Sequence, residues 1–151
     1  MGRAAHCWND GRGSDSCDGS QERVRVLICD DYEAFRQALR LLLESDKQIE
    51  VIGDATNGEE AVKLARLHRP EVVTMDIQMP VMDGVEATKR LRSLLPQLKV
   101  VLVSSSEYAH RAETAQRAGA AAYVTKTRAL SALPGVILAV AGRETSVTVL
   151  E

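Results

Sequence analysis

The sequence predicts an α/β domain in which a parallel sheet is covered by helices on both faces. Three observations carry this expectation. Short apolar runs alternate with segments of helical periodicity, five times from Arg23 onward. Such strict alternation closes into a parallel sheet, because each crossover between neighbouring parallel strands needs a helix. The runs are apolar at most positions rather than only at every second residue, which fits strands buried on both faces. Finally, a hydrophobic content of 45% includes only 3% aromatics, so the core has to be aliphatic, and 151 residues suffice for one such domain.

Residues 1–22, "MGRAAHCWNDGRGSDSCDGSQE", stand apart, with four glycines, three serines and no hydrophobic periodicity. They read as a disordered tail that also carries the only Trp, Trp8. "VRVLIC" (24–29) reads as a buried strand. In the helix that follows, "YEAFRQALRLLLE", Phe35, Ala38, Leu39 and Leu42 share one face. "IEVIGDA" (49–55) is the second strand, and Asn57-Gly58 turns the chain into the helix "EEAVKLARLHR", ended by Pro70. "VVTM" (72–75) is the third strand. Asp83 is placed to N-cap the third helix, "GVEATKRLRSLL", which stops before Pro96. "KVVLV" (99–103) is the fourth strand; the helix after it, "EYAHRAETAQRA", is poor in large apolar residues and closes on Gly119. "AAYVT" (121–125) is the fifth strand. The last helix is expected over roughly Ser131–Ala141, with Pro134 in its first turn and Gly142 closing it. Being apolar nearly all round, it predicts one face that the sheet leaves open for a partner.

The expected strand order is the flavodoxin-like 2-1-3-4-5, taken over from known doubly wound sheets rather than derived from these residues. Such sheets carry their sites at the carboxyl ends of the strands, near the switch point. Other classes recede. A net charge of -2 with mixed signs gives no general reason to bind nucleic acid or anionic membrane. No apolar run approaches the roughly 20 residues that cross a bilayer, and no basic segment followed by an apolar one marks a secretion signal. Cys7, Cys17 and Cys29 show neither metal spacing nor a disulfide framework, and His6, His68 and His110 are scattered. Cys29, inside an apolar run, reads as a small buried hydrophobe. A reducing cytoplasm is the expected setting.

Polar residues collect where the strands end: Asp30-Asp31 after the first, Asp76 after the third, Ser104-Ser105-Ser106 after the fourth, Lys126 after the fifth. In the expected order these converge on one edge of the sheet. Three packed carboxylates repel, and at least one resists ionising. A divalent cation relieves this, and a few hard oxygen ligands suit Mg²⁺. A cation, a lysine and a hydroxyl around a carboxylate are what phosphoryl transfer requires, since it rests on positioning and on neutralising oxygens. The carboxylate can then be the nucleophile.

On these features, from about Val24 to Gly142, the chain resembles a CheY-like response-regulator receiver domain of two-component signalling. The acidic pair Asp30-Asp31, the block "MDIQMPVMDG" around Asp76, Ser104 and "GAAAYVTK" ending in Lys126 stand in order on the matching elements. The resemblance implies that Asp76 is the phosphoacceptor. It implies that Asp31 binds Mg²⁺ directly, that Asp30 does so directly or through water, and that the Gln78 carbonyl is a further ligand beside Asp76. Lys126 would contact a phosphoryl oxygen, Ser104 would swing toward it, and Tyr123 would change rotamer as Ser104 moves. A sensor histidine kinase is the implied phosphoryl donor. Gln78 and Ser106 would flank the path of the attacking water. The alanine-rich "EYAHRAETAQRAGAAAY" would be the face that shifts, and the fifth helix, with the first, would form a homodimer or output contact.

The match has departures. Thr127 follows Lys126 where many receivers have proline. With the 28 residues from Asp76 to Ser104 and the ending "AVAGRE", this resembles the NarL/FixJ (LuxR-type) branch. Members of that branch usually carry a C-terminal helix-turn-helix, whereas "RETSVTVLE" after Gly142 is too short for one. The expected layout is a tail (1–22), a receiver (23–143) and a short tail or truncated linker (144–151), with DNA bound only through a domain absent here. Either the regulator stands alone or the sequence is a receiver cut from a longer protein, and the final Leu-Glu slightly favours the second. The competing reading is a pseudo-receiver that binds partners without phosphorylation, and the full acidic set with Lys126 argues against it. A flavodoxin would need a Ser/Thr/Gly loop where "CDDYEA" is acidic, and a haloacid-dehalogenase-type phosphatase would need an Asp-x-Asp that neither "CDDYE" nor "MDIQM" supplies.

Overall fold

The computed structural model describes residues 22–105 and 109–143. The expectations for the tail up to residue 21, for Ser106 and for 144–151 lie outside the described residues. The strands are β1 (Val24–Cys29), β2 (Ile49–Ala55), β3 (Val72–Asp76), β4 (Lys99–Ser104) and β5 (Ala122–Thr125). They alternate with α1 (Glu33–Glu44), α2 (Gly58–His68), α3 (Gly84–Leu94), α4 (Ala109–Ala118) and α5 (Lys126–Val140). The sheet runs β2-β1-β3-β4-β5 with every pairing parallel, as expected.

The continuous apolar runs divide by alternation between two cores. Val24, Val26 and Ile28 of β1, Val72 of β3 and Val101 and Val103 of β4 pack under α1 and α5 with Leu39, Leu43, Leu133 and Ile137. Leu27 and Cys29, Val73 and Met75, Val100 and Leu102 face the other way, against Ala61, Ala65, Ala87, Leu91 and Ala115 of α2, α3 and α4. All five residues of β3 are buried, which explains its unbroken apolar character. Each fully buried Leu or Ile here contributes roughly 1.5–3 kcal/mol. Because side chains alternate, Asp30 follows Ile28 and Asp76 follows Thr74 onto the α1/α5 side of the sheet.

Thr74 is the exception among the β3 residues that precede Asp76. It is 1% exposed, and its Oγ1 is buried without a hydrogen-bond partner. An unsatisfied buried hydroxyl costs about 1–3 kcal/mol. Thr74→Val is therefore expected to stabilise the fold by about 1 kcal/mol, read as a higher urea midpoint at unchanged slope.

Caps and breaks follow local chemistry. Asn57 and Asp83 accept N–H bonds from Glu60 (2.8 Å) and Glu86 (2.9 Å), closing the starts of α2 and α3. Gly119 (φ 96) and Gly142 (φ 83) take the left-handed conformation that ends α4 and α5, as expected. Four expectations change. The first helix, expected from Tyr32, begins at Glu33, with Tyr32 as an N-cap that makes no side-chain bond. Ala38 is exposed, and the buried stripe of α1 is Leu39 and Leu43 with Phe35 and Leu42 beside them. α5 starts at Lys126, directly from β5, because Ala129, Leu133, Val136 and Ile137 form one buried stripe that begins before Ser131. Pro134 thus lies inside the helix, where it cannot donate to the Leu130 carbonyl. The open apolar face expected of this helix is also largely covered: Leu133 and Val136–Leu138 are buried, and Leu130 stands out at 48% exposure.

Candidate functional site

The site is built at the carboxyl ends of β1 and β3, where the chain leaves the sheet under tight backbone control. The Asp30 N–H donates to Ala55 O at the end of β2 (3.1 Å). Its Oδ1 accepts the Tyr32 N–H (2.8 Å), and its carbonyl accepts from Arg36 Nη1 (2.9 Å). Asp30 is consequently buried, while Asp31, one residue on, is exposed. At the end of β3, the Ile77 N–H donates to Val103 O (3.1 Å), and Ile77 O accepts from the Gly84 N–H (2.8 Å). Asp76 is held at 5% exposure between these bonds.

One carboxylate oxygen from each of Asp30, Asp31 and Asp76 lies within 4.8 Å of the others. The Lys126 Nζ is 3.1 Å from Asp30 Oδ2 and 3.6 Å from Asp76 Oδ2, bridging the two buried acids. It also stands 4.5 Å from the centroid of the Phe35 ring. Burial, and next the charge of Asp30, raise the Asp76 carboxyl from its ordinary 3.8 to about 6. Lys126 and the Gln78 backbone N–H pull the other way without offsetting this, and Asp31 adds to the rise. The cluster thus holds more negative charge than one lysine neutralises. An all-oxygen donor set with surplus negative charge fits a hard divalent cation such as Mg²⁺.

The other expected residues take graded places. Ser104 is 1% exposed and stands one residue past Val103, the register partner of Asp76; across β5 it pairs with Thr125, next to Lys126. Tyr123 pairs with Leu102 and lies partly buried against the α2–α4 core, away from the Asp30–Lys126–Asp76 side. The Gln78 side chain is exposed, and its N–H rather than its carbonyl is what engages Asp76. Cys29 is buried as expected, beside Asn57 O and Met79 Sδ (both 3.4 Å), and burial pushes its thiol far above the ordinary range.

The loop from β3 to α3 carries one strained residue. Val81 has φ 69 and is 75% exposed, inside a tight turn closed by Met82 N–H to Pro80 O (2.6 Å). A β-branched side chain at positive φ costs roughly 1–2 kcal/mol. Val81→Asn, which tolerates this conformation, is expected to raise stability by about 1 kcal/mol, measured as a higher thermal midpoint.

Residues 26–137 match the family described as the response regulator receiver domain. The chain belongs to this receiver family. The receiver is 44% identical over 108 residues to a protein-glutamate methylesterase/protein-glutamine glutaminase from Halalkalibacterium halodurans, covering 70% of this chain and 31% of that protein. It is 40% identical over 104 residues to the transcriptional regulatory protein LiaR of Bacillus subtilis, covering 69% of this chain and 49% of LiaR. Its fold is similar to the signal receiver domain of the response regulator NarL from Mycobacterium tuberculosis, with a TM-score of 0.77 and 31% identity over 81% of this chain and 99% of that one. The receiver thus spans at most about half the length of these two curated relatives. No described helix is long and apolar enough to cross a membrane.

Sequence reasoning brought Asp30, Asp31, Asp76 and Lys126 to the right place but passed over three contributors. Phe35 was accounted for by helical periodicity alone, yet its ring faces Lys126. Arg36, on the polar side of that pattern, grips the Asp30 carbonyl and stands 3.4 Å from Asp54 Oδ2. Gly84 reads only as the first residue of a helix, and its closeness to the Asp76 backbone leaves no trace in the sequence.

Proposed function

We propose that this receiver accepts a phosphoryl group on Asp76 from a sensor histidine kinase. A carboxylate oxygen of Asp76 attacks phosphorus, the P–N bond to the donor imidazole breaks, and its electron pair returns to that nitrogen. Lys126, already shared between Asp30 and Asp76, contacts the incoming phosphoryl oxygens and offsets their charge. Mg²⁺, for which Asp30, Asp31, Asp76 and the Gln78 carbonyl are the candidate ligands, supplies further charge neutralisation when bound. Ser104, at the neighbouring strand end, is the hydroxyl proposed to turn toward the acyl phosphate, and Tyr123 is the aromatic proposed to respond to it.

The observation that carries this reading is the buried Asp76 carboxyl, lifted to about 6 and bridged by Lys126 to a second buried acid. The output we propose is a shift of the α4–β5–α5 face, controlling transcription if a DNA-binding domain follows in the full-length protein. A homodimer through α5 and α1 would rest on Leu130 and Leu41, single exposed side chains on two helices. Incubation with acetyl phosphate and Mg²⁺ should add one phosphoryl group by intact mass, and Asp76→Asn should abolish it. Full labelling of that variant would remove Asp76 from the role.

A further inference from the structure

Lys126 opens α5, where the helix dipole disfavours a cation, and its side chain is 20% exposed. Three neighbours hold its ammonium: Asp30 Oδ2 at 3.1 Å, Asp76 Oδ2 at 3.6 Å and the Phe35 ring at 4.5 Å. The first two have other duties under the phosphoacceptor reading, on which this inference rests. Asp76 loses its carboxylate charge when an oxygen bonds phosphorus, and both acids offer oxygens for which a divalent cation competes. The ring is neutral, binds no metal and forms no bond in the reaction. It is also the only Phe of the chain.

We infer that Phe35 is a positioning residue for Lys126, holding the ammonium over the site as the two carboxylates change partners. The ring face attracts the cation through its quadrupole, and it restrains a side chain that is otherwise flexible over four carbons. The ring is itself fixed. It packs partly buried against the core under α1 and α5. Its neighbour Arg36 ties α1 to the Asp30 carbonyl at 2.9 Å, so the helix cannot drift from the site. Lys126 thus meets the phosphoryl oxygens already ordered, and the gain falls on the rate of transfer rather than on metal affinity.

The test compares the unaltered receiver with Phe35→Leu and Phe35→Trp. In metal-free protein with ¹³C-labelled lysine, the ε-methylene protons of Lys126 should show a ring-current shift that disappears in the Leu variant and persists with Trp. With acetyl phosphate and saturating Mg²⁺, Phe35→Leu should slow labelling by about fivefold, the worth of one cation–π contact. Mg²⁺ affinity should be unchanged, and Phe35→Trp should restore the rate. A Leu variant that loses the ring-current shift but labels at the original rate would overturn the inference, as would a folded Trp variant that stays slow. If the unaltered receiver took no phosphoryl group, the phosphoacceptor reading would fall, and this inference with it. The ring-current shift would then still report whether ring and ammonium touch.

Discussion

Asp76→Asn is expected to make the receiver more stable at pH 7 by on the order of 2–3 kcal/mol, and by only about 0.5 kcal/mol at pH 4. The carboxyl is raised from 3.8 to about 6 in the fold, so between those values the native state binds more protons than the unfolded chain. Stability conferred by this group is therefore lost as pH rises through the window from about 4 to about 6, and the penalty is constant above it. At low pH both states are protonated and the penalty vanishes. Asn has the shape of the protonated acid and never ionises, so it retains the low-pH condition at all pH. Urea unfolding of both proteins from pH 4 to 7.5 without Mg²⁺ measures the gap directly, since other titrating groups largely cancel in the difference. A gap that stayed flat across the window would contradict the raised carboxyl. Adding Mg²⁺ should close much of the gap at pH 7 by stabilising the unaltered protein. That links the electrostatic penalty to the ligand proposed to relieve it.

The second large effect is expected from Gly84→Ala. Gly84 is the first residue of α3, its N–H is bonded to Ile77 O, and its carbonyl accepts the Thr88 hydroxyl (2.7 Å). A methyl group there would run into the carbonyl oxygen of Asp76 and stand 2.9 Å from the Ile77 Cα. Backbone atoms cannot swing aside like a flexible side chain. Either the helix start or the end of β3 must move, and overpacking of this kind costs about 3 kcal/mol. Ser93→Ala, on an exposed position of the same helix, should change stability by no more than about 0.5 kcal/mol and serves as the comparison. Labelling by acetyl phosphate should also fall in Gly84→Ala under conditions where it remains folded, because the displaced atoms belong to the phosphoacceptor's own backbone. Full stability and full labelling together would show that the close approach is not enforced.

Much of this architecture was legible because burial leaves a plain mark: five mostly apolar runs, separated by segments of helical period. The acidic cluster was legible for the same reason, since Asp30, Asp76 and Lys126 each interrupt or end an apolar run at a place where only a strand edge can host a charge. The start of α5 was not. The chain passes from Thr125 into the helix with no Gly, Pro or side-chain cap to mark it, and Ser131 offered a plausible cap further on. Phe35 and Gly84 escaped because simpler reasons already explained them. An apolar residue on a helical face and a glycine opening a helix give no further signal, although one faces the lysine and the other makes room for the aspartate.

The alternation of the strands between two cores has a consequence for how this site can change through evolution. Asp30 stands two residues beyond Ile28, and Asp76 two beyond Thr74, and those even intervals put both acids on the side where Lys126 waits. One residue inserted or deleted inside β1 or β3 would reverse the parity of everything after it. The motif would survive letter for letter, yet its aspartate would point into the layer of α2, α3 and α4, with a hydrophobic face turned toward the lysine. Changes of length are thus confined to the connections, while substitutions can accumulate within the strands. The chemistry is encoded as much in odd-and-even counting as in the identity of the residues that perform it.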